Sequence, residues 1–196
     1  MLKKITLLGV SALTAFAMNN AAININDTDL ELGVKFDVGQ FNEAVEPNTL
    51  FVGGKFLNAD AQHSDNDAAS LDPYFEANVL MMRPLGNKGM KIGMGIKVNG
   101  TTNFVSVPLG LEFSYKLPVQ EYVPMYFEGA LYYAPSALTY SDGDNFWEYR
   151  LNYTIEIIQN GKINLGYRSL KTNYKTDRGG DFTYNSYWYV GYSIGF

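Results

Sequence analysis

The chain contains no cysteine, which excludes a disulfide framework, a thiol nucleophile and a Cys-ligated metal. Histidine occurs once, at His63, so any His-dependent catalytic or metal centre would have to be built around that one side chain. Charge is sparse: 18% of the 196 residues are Asp, Glu, Lys or Arg, against roughly 25% in soluble domains. Basic surplus is missing too. With 15 Lys and Arg against 20 Asp and Glu, the formal charge is -5, so no basic face is available for phosphates and a nucleic-acid partner is excluded. After the first residues there is no run of about 18 apolar side chains, hence no transmembrane helix.

What is present begins with a leader. Met1-Leu2-Lys3-Lys4 is a short basic segment, Ile5 to Phe16 is apolar at signal-peptide length, and Ala15-Phe16-Ala17 is an A-x-A cleavage site. Residues 1–17 are therefore expected to be a cleaved signal peptide, and 18–196 a single exported domain. Fifteen Tyr, twelve Phe and nineteen Gly point that domain towards strands.

The final stretch shows the pattern best. From Ser186 to Phe196, one face carries Trp188, Val190, Tyr192, Ile194 and Phe196; the other carries Tyr187, Tyr189, Gly191, Ser193 and Gly195. The same alternation runs through Leu30 to Val38, Thr49 to Asn58, Leu71 to Met82, Met90 to Val98, Phe104 to Tyr115, Met125 to Tyr133, Phe146 to Ile157 and Ile163 to Ser169. Most of these segments have the nine to twelve residues a tilted strand needs to cross a bilayer, and no helix-period segment competes. The expected fold is a closed antiparallel up-and-down transmembrane β-barrel. Nine strands are clear, and a short one at Ala22 to Asn26, turning at Asp27-Thr28-Asp29, makes ten; eight is the alternative, since bacterial barrels close with an even number.

Connections and aromatics agree. Lys171 to Asn185, Ala134 to Asn145 and Asn58 to Ser70 are long and expected outside. Asn160-Gly161, Lys116 to Val123 and Arg83 to Gly89 are shorter and expected in the periplasm, while Asn99 to Asn103 is short on the outer side. Tyr133, Trp147 and Trp188 fall at outer strand ends and Tyr115, Phe127 and Phe196 at inner ends, forming two interfacial belts. Pro108 conflicts with a closed ladder, and a bulge is expected there.

The inward faces carry Glu31, Asp37, Glu76, Glu112, Glu128, Glu148 and Glu156 against Lys35, Lys55, Lys91, Lys97, Arg150 and Arg168. In a narrow lumen such charges must pair or be hydrated. Glu112, Glu128, Glu148, Arg150 and Arg168, from successive strands, form the expected lumen network, read as a salt-bridged plug with a narrow pore as the alternative. His63, among Asp60, Asp65 and Asp67, lacks the spacing of a calcium loop, and Ser141 to Asn145 is read as another solvated loop. No nucleophile elbow is present, so no catalytic residue, metal or cofactor is assigned.

Tyr126-Phe127-Glu128-Gly129-Ala130-Leu131-Tyr132-Tyr133-Ala134-Pro135, followed by Leu138, resembles the YfaZ family of small bacterial outer-membrane proteins. Glu148, Gly166-Tyr167-Arg168 and Tyr189-Val190-Gly191 before a terminal Phe match it as well. The resemblance runs from about Val107 to Phe196. It implies an outer-membrane barrel of unassigned activity and transfers no binding or catalytic residues.

The expected setting is therefore the outer membrane of a Gram-negative bacterium, with a structural or interaction role. Membrane lipid and the barrel-assembly machinery are the expected partners, together with an extracellular ligand of unspecified kind at the loops. Trp188, Tyr192 and Phe196 are read as the assembly signal. Removing Phe196 is expected to lower the fraction of chains that acquire heat-modifiable mobility in outer-membrane fractions; unchanged assembly of the shortened chain would refute that role.

Overall fold

Strands that alternate without intervening helices can satisfy their backbone groups only on neighbouring strands, and the unpaired edges of an open sheet are removed by closing it. A computed structural model describes residues 19–59, 72–86, 89–118, 123–175 and 181–196. The first wall strands are β1 (Asn20–Ile25), β2 (Leu30–Asp37), β3 (Leu50–Asn58), β4 (Tyr74–Leu85) and β5 (Met90–Gly100). Two pieces, β6 (Phe104–Ser106) and β7 (Leu109–Lys116), come next. They are followed by β8 (Met125–Ala134), β9 (Thr139–Ser141), β10 (Gly143–Ile158), β11 (Gly161–Tyr174) and β12 (Asp181–Gly195). The wall runs β1-β2-β3-β4-β5-β7-β8-β10-β11-β12, and β12 pairs back onto β1. This is a closed, antiparallel, up-and-down barrel of ten strands. The short first strand anticipated at Ala22 to Asn26 is β1, which settles ten over eight.

Pro108 breaks the wall as its chemistry requires, although by dividing a strand rather than by a simple bulge. It has no N–H to give, so the segment expected to run from Phe104 to Tyr115 splits at Val107-Pro108. Pro108 still accepts from the Lys97 amide at 3.0 Å, whereas the Val107 amide turns away to the Leu138 carbonyl at 2.8 Å. The detached piece, β6, pairs with β9 and extends the far rim, opposite the end where the Phe196 amide meets the Asn19 carbonyl.

Several connections differ from expectation. The strands β10, β11 and β12 are longer than the pattern implied: β11 and β12 take residues 171–174 and 181–185 of the loop anticipated at 171–185, while β9 and the start of β10 take 139–141 and 143–145 of that at 134–145. Ser141 to Asn145 is a tight reversal, with Ser141 at φ 62°, and not a solvated loop. The hairpin at Asn160 turns on Gln159-Asn160, with Asn160 at φ 65°, while Gly161 already belongs to the ladder. The connection from Val38 to Thr49, at the end that carries the termini, is longer than the tight turns expected there. Asp37 pins it, accepting from the amides of Gly39 at 3.0 Å and Asn48 at 2.5 Å. Residues 1–17, and the acidic loop with His63, lie outside the described residues.

The two faces of the wall follow the alternation. Outward positions expose apolar side chains all round the ring, among them Ile23, Val34, Val79, Met94, Leu131 and Leu165. Aromatics pair along the outward face on one side: Tyr133 tilted on Trp147 at 4.3 Å between ring centres, and Tyr167 edge-on to Trp188 at 5.3 Å. An apolar exterior of this extent is one that water does not tolerate and a bilayer does.

The apolar core is instead inside, at the far rim. Leu57, Tyr74, Phe104, Ala134, Phe146, Leu170 and Tyr184 form a buried cluster, against which Leu138, Tyr174 and Phe182 pack. Phe146 is its centre, stacked on Phe104 at 5.9 Å and on Tyr74 at 6.4 Å, with no exposed surface. Phe146→Ala is expected to cost about 3–5 kcal/mol of stability. Urea unfolding in lipid vesicles followed by tryptophan fluorescence checks this; a loss below about 1 kcal/mol would remove the cluster from the fold's supports.

Candidate functional site: a charge lattice across the lumen

Four strands of the apolar cluster continue, two residues along the same inward register, into a charge. Leu57 leads to Lys55, Tyr74 to Glu76, Phe146 to Glu148 and Leu170 to Arg168. The lumen is therefore stacked in layers, with a greasy layer at the far rim and an ionic layer directly beneath it. The ring is just wide enough for opposite walls to touch through long side chains.

Lys97 lies at the centre of the ionic layer. Its ammonium donates to Glu148 at 2.6 Å and to Glu76 at 3.2 Å, and all three side chains are about 1% exposed. The same ammonium sits 3.7 Å from the centre of the Tyr132 ring. Lys55 reaches Glu76 at 3.2 Å and Glu148 at 3.6 Å. Arg150 grips Glu31 with two parallel bonds of 2.7 and 2.6 Å, the bidentate geometry that only a guanidinium supplies. Arg168, fully buried, meets Asp29 at 3.1 Å and Glu31 at 3.3 Å, and its Nε donates to Asn185 at 2.7 Å. The lattice thus sets Asp29, Glu31, Glu76 and Glu148 against Lys55, Lys97, Arg150 and Arg168, four charges of each sign.

Two tyrosines fix its floor. Tyr132 lies flat over Gly110 and Gly95, where a Cβ would collide with its ring and hydroxyl, and donates to Glu112 at 2.7 Å. Tyr189 lies likewise over Gly166 and donates to Asn152, its ring 5.6 Å from the Arg150 guanidinium and 5.3 Å from that of Arg168. The glycines are spaced for these rings, since any larger inward residue would lift them off the wall.

Of the five residues expected to cluster, Glu148, Arg150 and Arg168 come together in the lattice. Glu112 stands below it, 3.8 Å from Lys35, which spans the lumen from β2. Glu128 sits apart, receiving hydroxyls from Ser114 at 3.3 Å and Thr154 at 3.2 Å. Asp29, expected only as a turn residue, joins the lattice through Arg168 and Asn185. Its clue is its place two residues before Glu31, which puts it on the same inward register one step nearer the rim. Trp188 and Phe196 are exposed on the outward face, and Tyr192 stands between them. Among the described residues no group of His, Cys, Asp and Glu could hold a metal ion.

Barrel and lattice together define a membrane-type β-barrel with an ion-paired interior. The chain belongs to the YfaZ family, whose model, described as YfaZ precursor, matches residues 2–196. No curated protein matches it. Among solved structures, the KdgM porin is similar at 13% identity and TM-score 0.46, covering 91% of this chain and 99% of the porin. The same porin in complex with disordered oligogalacturonate is similar at 11% identity and TM-score 0.46, with the same coverage.

Removing one partner of a buried pair leaves the other charge unpaired, which typically costs about 3–5 kcal/mol. Arg168→Ala strands Asp29 and part of the Glu31 charge, and is expected to lose stability of that order, with Asp29→Asn restoring part of it in the double variant. Thermal unfolding of the single and double variants measures the coupling. Unchanged melting of Arg168→Ala together with altered conductance would contradict a structural plug.

Proposed function

We propose that this YfaZ-family chain is a small barrel of the Gram-negative outer membrane whose lumen is closed to solutes, and whose work is structural or done through its surfaces. The observation that carries the reading is the lattice under its apolar cap. What supports it is that Lys97, Glu76 and Glu148 are ion-paired with each side chain about 1% exposed, and that Phe146 packs with Tyr74 and Phe104 above them. A permeating ion would have to break bonds to Lys97 at 2.6 and 3.2 Å and part stacked rings besides. What supports the membrane setting is the apolar outer face, the aromatic pairs and the sequence leader.

No catalytic constellation is assigned among the described residues, and the reading is non-enzymatic. Trp188, Tyr192 and Phe196, on the outward register of the last strand, are proposed as the segment that the barrel-assembly machinery engages. The far-rim connections are proposed to face the cell exterior, where an extracellular ligand would meet them.

A narrow channel is the second reading, favoured by the partial exposure of the Lys35 and Lys55 side chains, 39% and 23%, on the β2–β3 side. Purified, refolded protein in planar bilayers separates the two. The closed reading expects no steady current above leak at neutral pH in about 1 M salt, where surface charge is screened. Resolved unitary steps that change with Lys35→Glu would replace it with the channel.

A further inference from the structure

On the outward registers of β1 to β5 the one charged side chain is Arg83, which follows Phe75, Ala77, Val79 and Met81 on the same face of β4. A cation on the lipid face is tolerated only close to the headgroups, so Arg83 marks the level at which the hydrocarbon ends on the side of the chain termini. From Phe75 to Arg83 the strand descends about 20 Å along the barrel axis, at ~3.3 Å per residue and a tilt of about 35–45°. That is most of the ~25 Å height of such an apolar band. In the same five strands the sole Tyr or Trp is Tyr74, which is buried in the lumen, so this half of the wall has no amphipathic aromatic of its own to hold it at the interface.

One connection leaves the wall at that level. Phe36, the last outward position of β2, and Leu50, the first of β3, flank the segment from Val38 to Thr49, and Leu50 pairs with Met81, the outward neighbour of Arg83. Glu46 accepts from Arg83 at 2.9 Å, which draws the segment to the outer side of the ring. The segment is ordered by its own bonds. Val38–Gln40 forms a 3-10 turn, the Val38 carbonyl receives the amides of Phe41 and Asn42 at 3.0 Å, and the Thr49 hydroxyl donates to the Glu46 carbonyl at 2.5 Å. Its two limbs cross so closely that a Cβ at Gly39 would stand 2.7 Å from the Pro47 Cα. Out of this frame projects Phe41, 71% exposed, the most exposed large apolar side chain among the described residues and the one such side chain carried by a connection between strands.

We propose that the 38–49 segment is an interfacial anchor, which lies against the headgroups of the periplasmic leaflet and inserts Phe41 at the acyl boundary of a phospholipid bilayer. The inference rests on the membrane reading of the barrel. Continuity identifies the occupant. Phe36, Leu50 and Met81 carry the lipid-facing surface to the base of the segment, and Phe41 extends that surface by one ring. Apolar side chains on one side of a short polar element are what hold such elements in the interface plane. A segment already ordered loses little chain entropy on insertion, so more of the gain from burying the ring is kept. The Arg83–Glu46 pair presents one charge of each sign at the same depth, which suits a zwitterionic headgroup.

The absence of native cysteine gives a unique labelling site. Single-cysteine Phe41→Cys, labelled with bimane and refolded into phosphatidylcholine vesicles, is expected to emit to the blue of the unfolded labelled chain. It is expected to lose most of that emission to a nitroxide placed high on the acyl chains. Val79→Cys, outward on the middle of β4, carries the same label as the control for the membrane reading and is expected to be quenched best by a nitroxide placed low on the chains. Heat-modifiable mobility verifies that each labelled variant is folded. Water-like, unquenched emission from position 41 beside a quenched label at position 79 would overturn the anchor and leave the membrane reading standing. Folded protein with neither label quenched would overturn both. A label at position 41 that is bare in vesicles but shielded from iodide in isolated outer membranes would assign the ring to a protein partner and overturn the lipid.

Discussion

A ring of ten strands leaves a narrow lumen, and a charge that points into it must find a counter-charge or hydrogen-bond donors there. That constraint governs the interior. Lys97 is central because it bridges to β4 and β10 at once, and it is buried because Glu76 and Glu148 approach it from both sides. The glycines beneath Tyr132 and Tyr189 follow from the same need, since the rings must lie flat for their hydroxyls and faces to serve Glu112, Asn152 and the cations. Beneath the apolar layer the side chains of Lys97, Glu76 and Glu148 are almost without exposed surface, and their attraction is several-fold stronger than it would be in water.

The outside obeys a different constraint, solubility in hydrocarbon, and the two are reconciled by alternation alone. Each strand contributes one face to each medium. Where a residue cannot serve the ladder, as at Pro108, the strand divides and the freed piece is reused to extend the rim through β6 and β9.

Much of this was legible in the sequence because a period of two survives every local detail. The wall strands, their inward charges and the short first strand were all readable from it. The partners of those charges were not. Arg150 finds Glu31, and Lys35 reaches towards Glu112, across a closed ring whose stagger is set by the sum of all registers, a quantity no single segment contains. The apolar cap was hidden differently. Leu57, Tyr74, Phe146 and Leu170 sit on registers that elsewhere carry charge, so they read as exceptions when taken strand by strand. Only their shared position, one step rimward of a charge on each strand, reveals them as a layer. The long strands β10 to β12 were underestimated because polar residues near their far ends, such as Thr172 and Asn185, resemble loop residues yet are fully buried.

Burial beneath the apolar layer also has an electrostatic consequence. The rings of Tyr74, Phe104 and Phe146 pack together on the rim side of Lys97, Glu76 and Glu148, whose side chains are each about 1% exposed. Screening by mobile ions, which weakens exposed pairs, acts far less on pairs buried to this degree. The ion pairs at the centre of the lattice therefore hold with a strength that depends little on the salt around the protein, unlike a pair on an open surface.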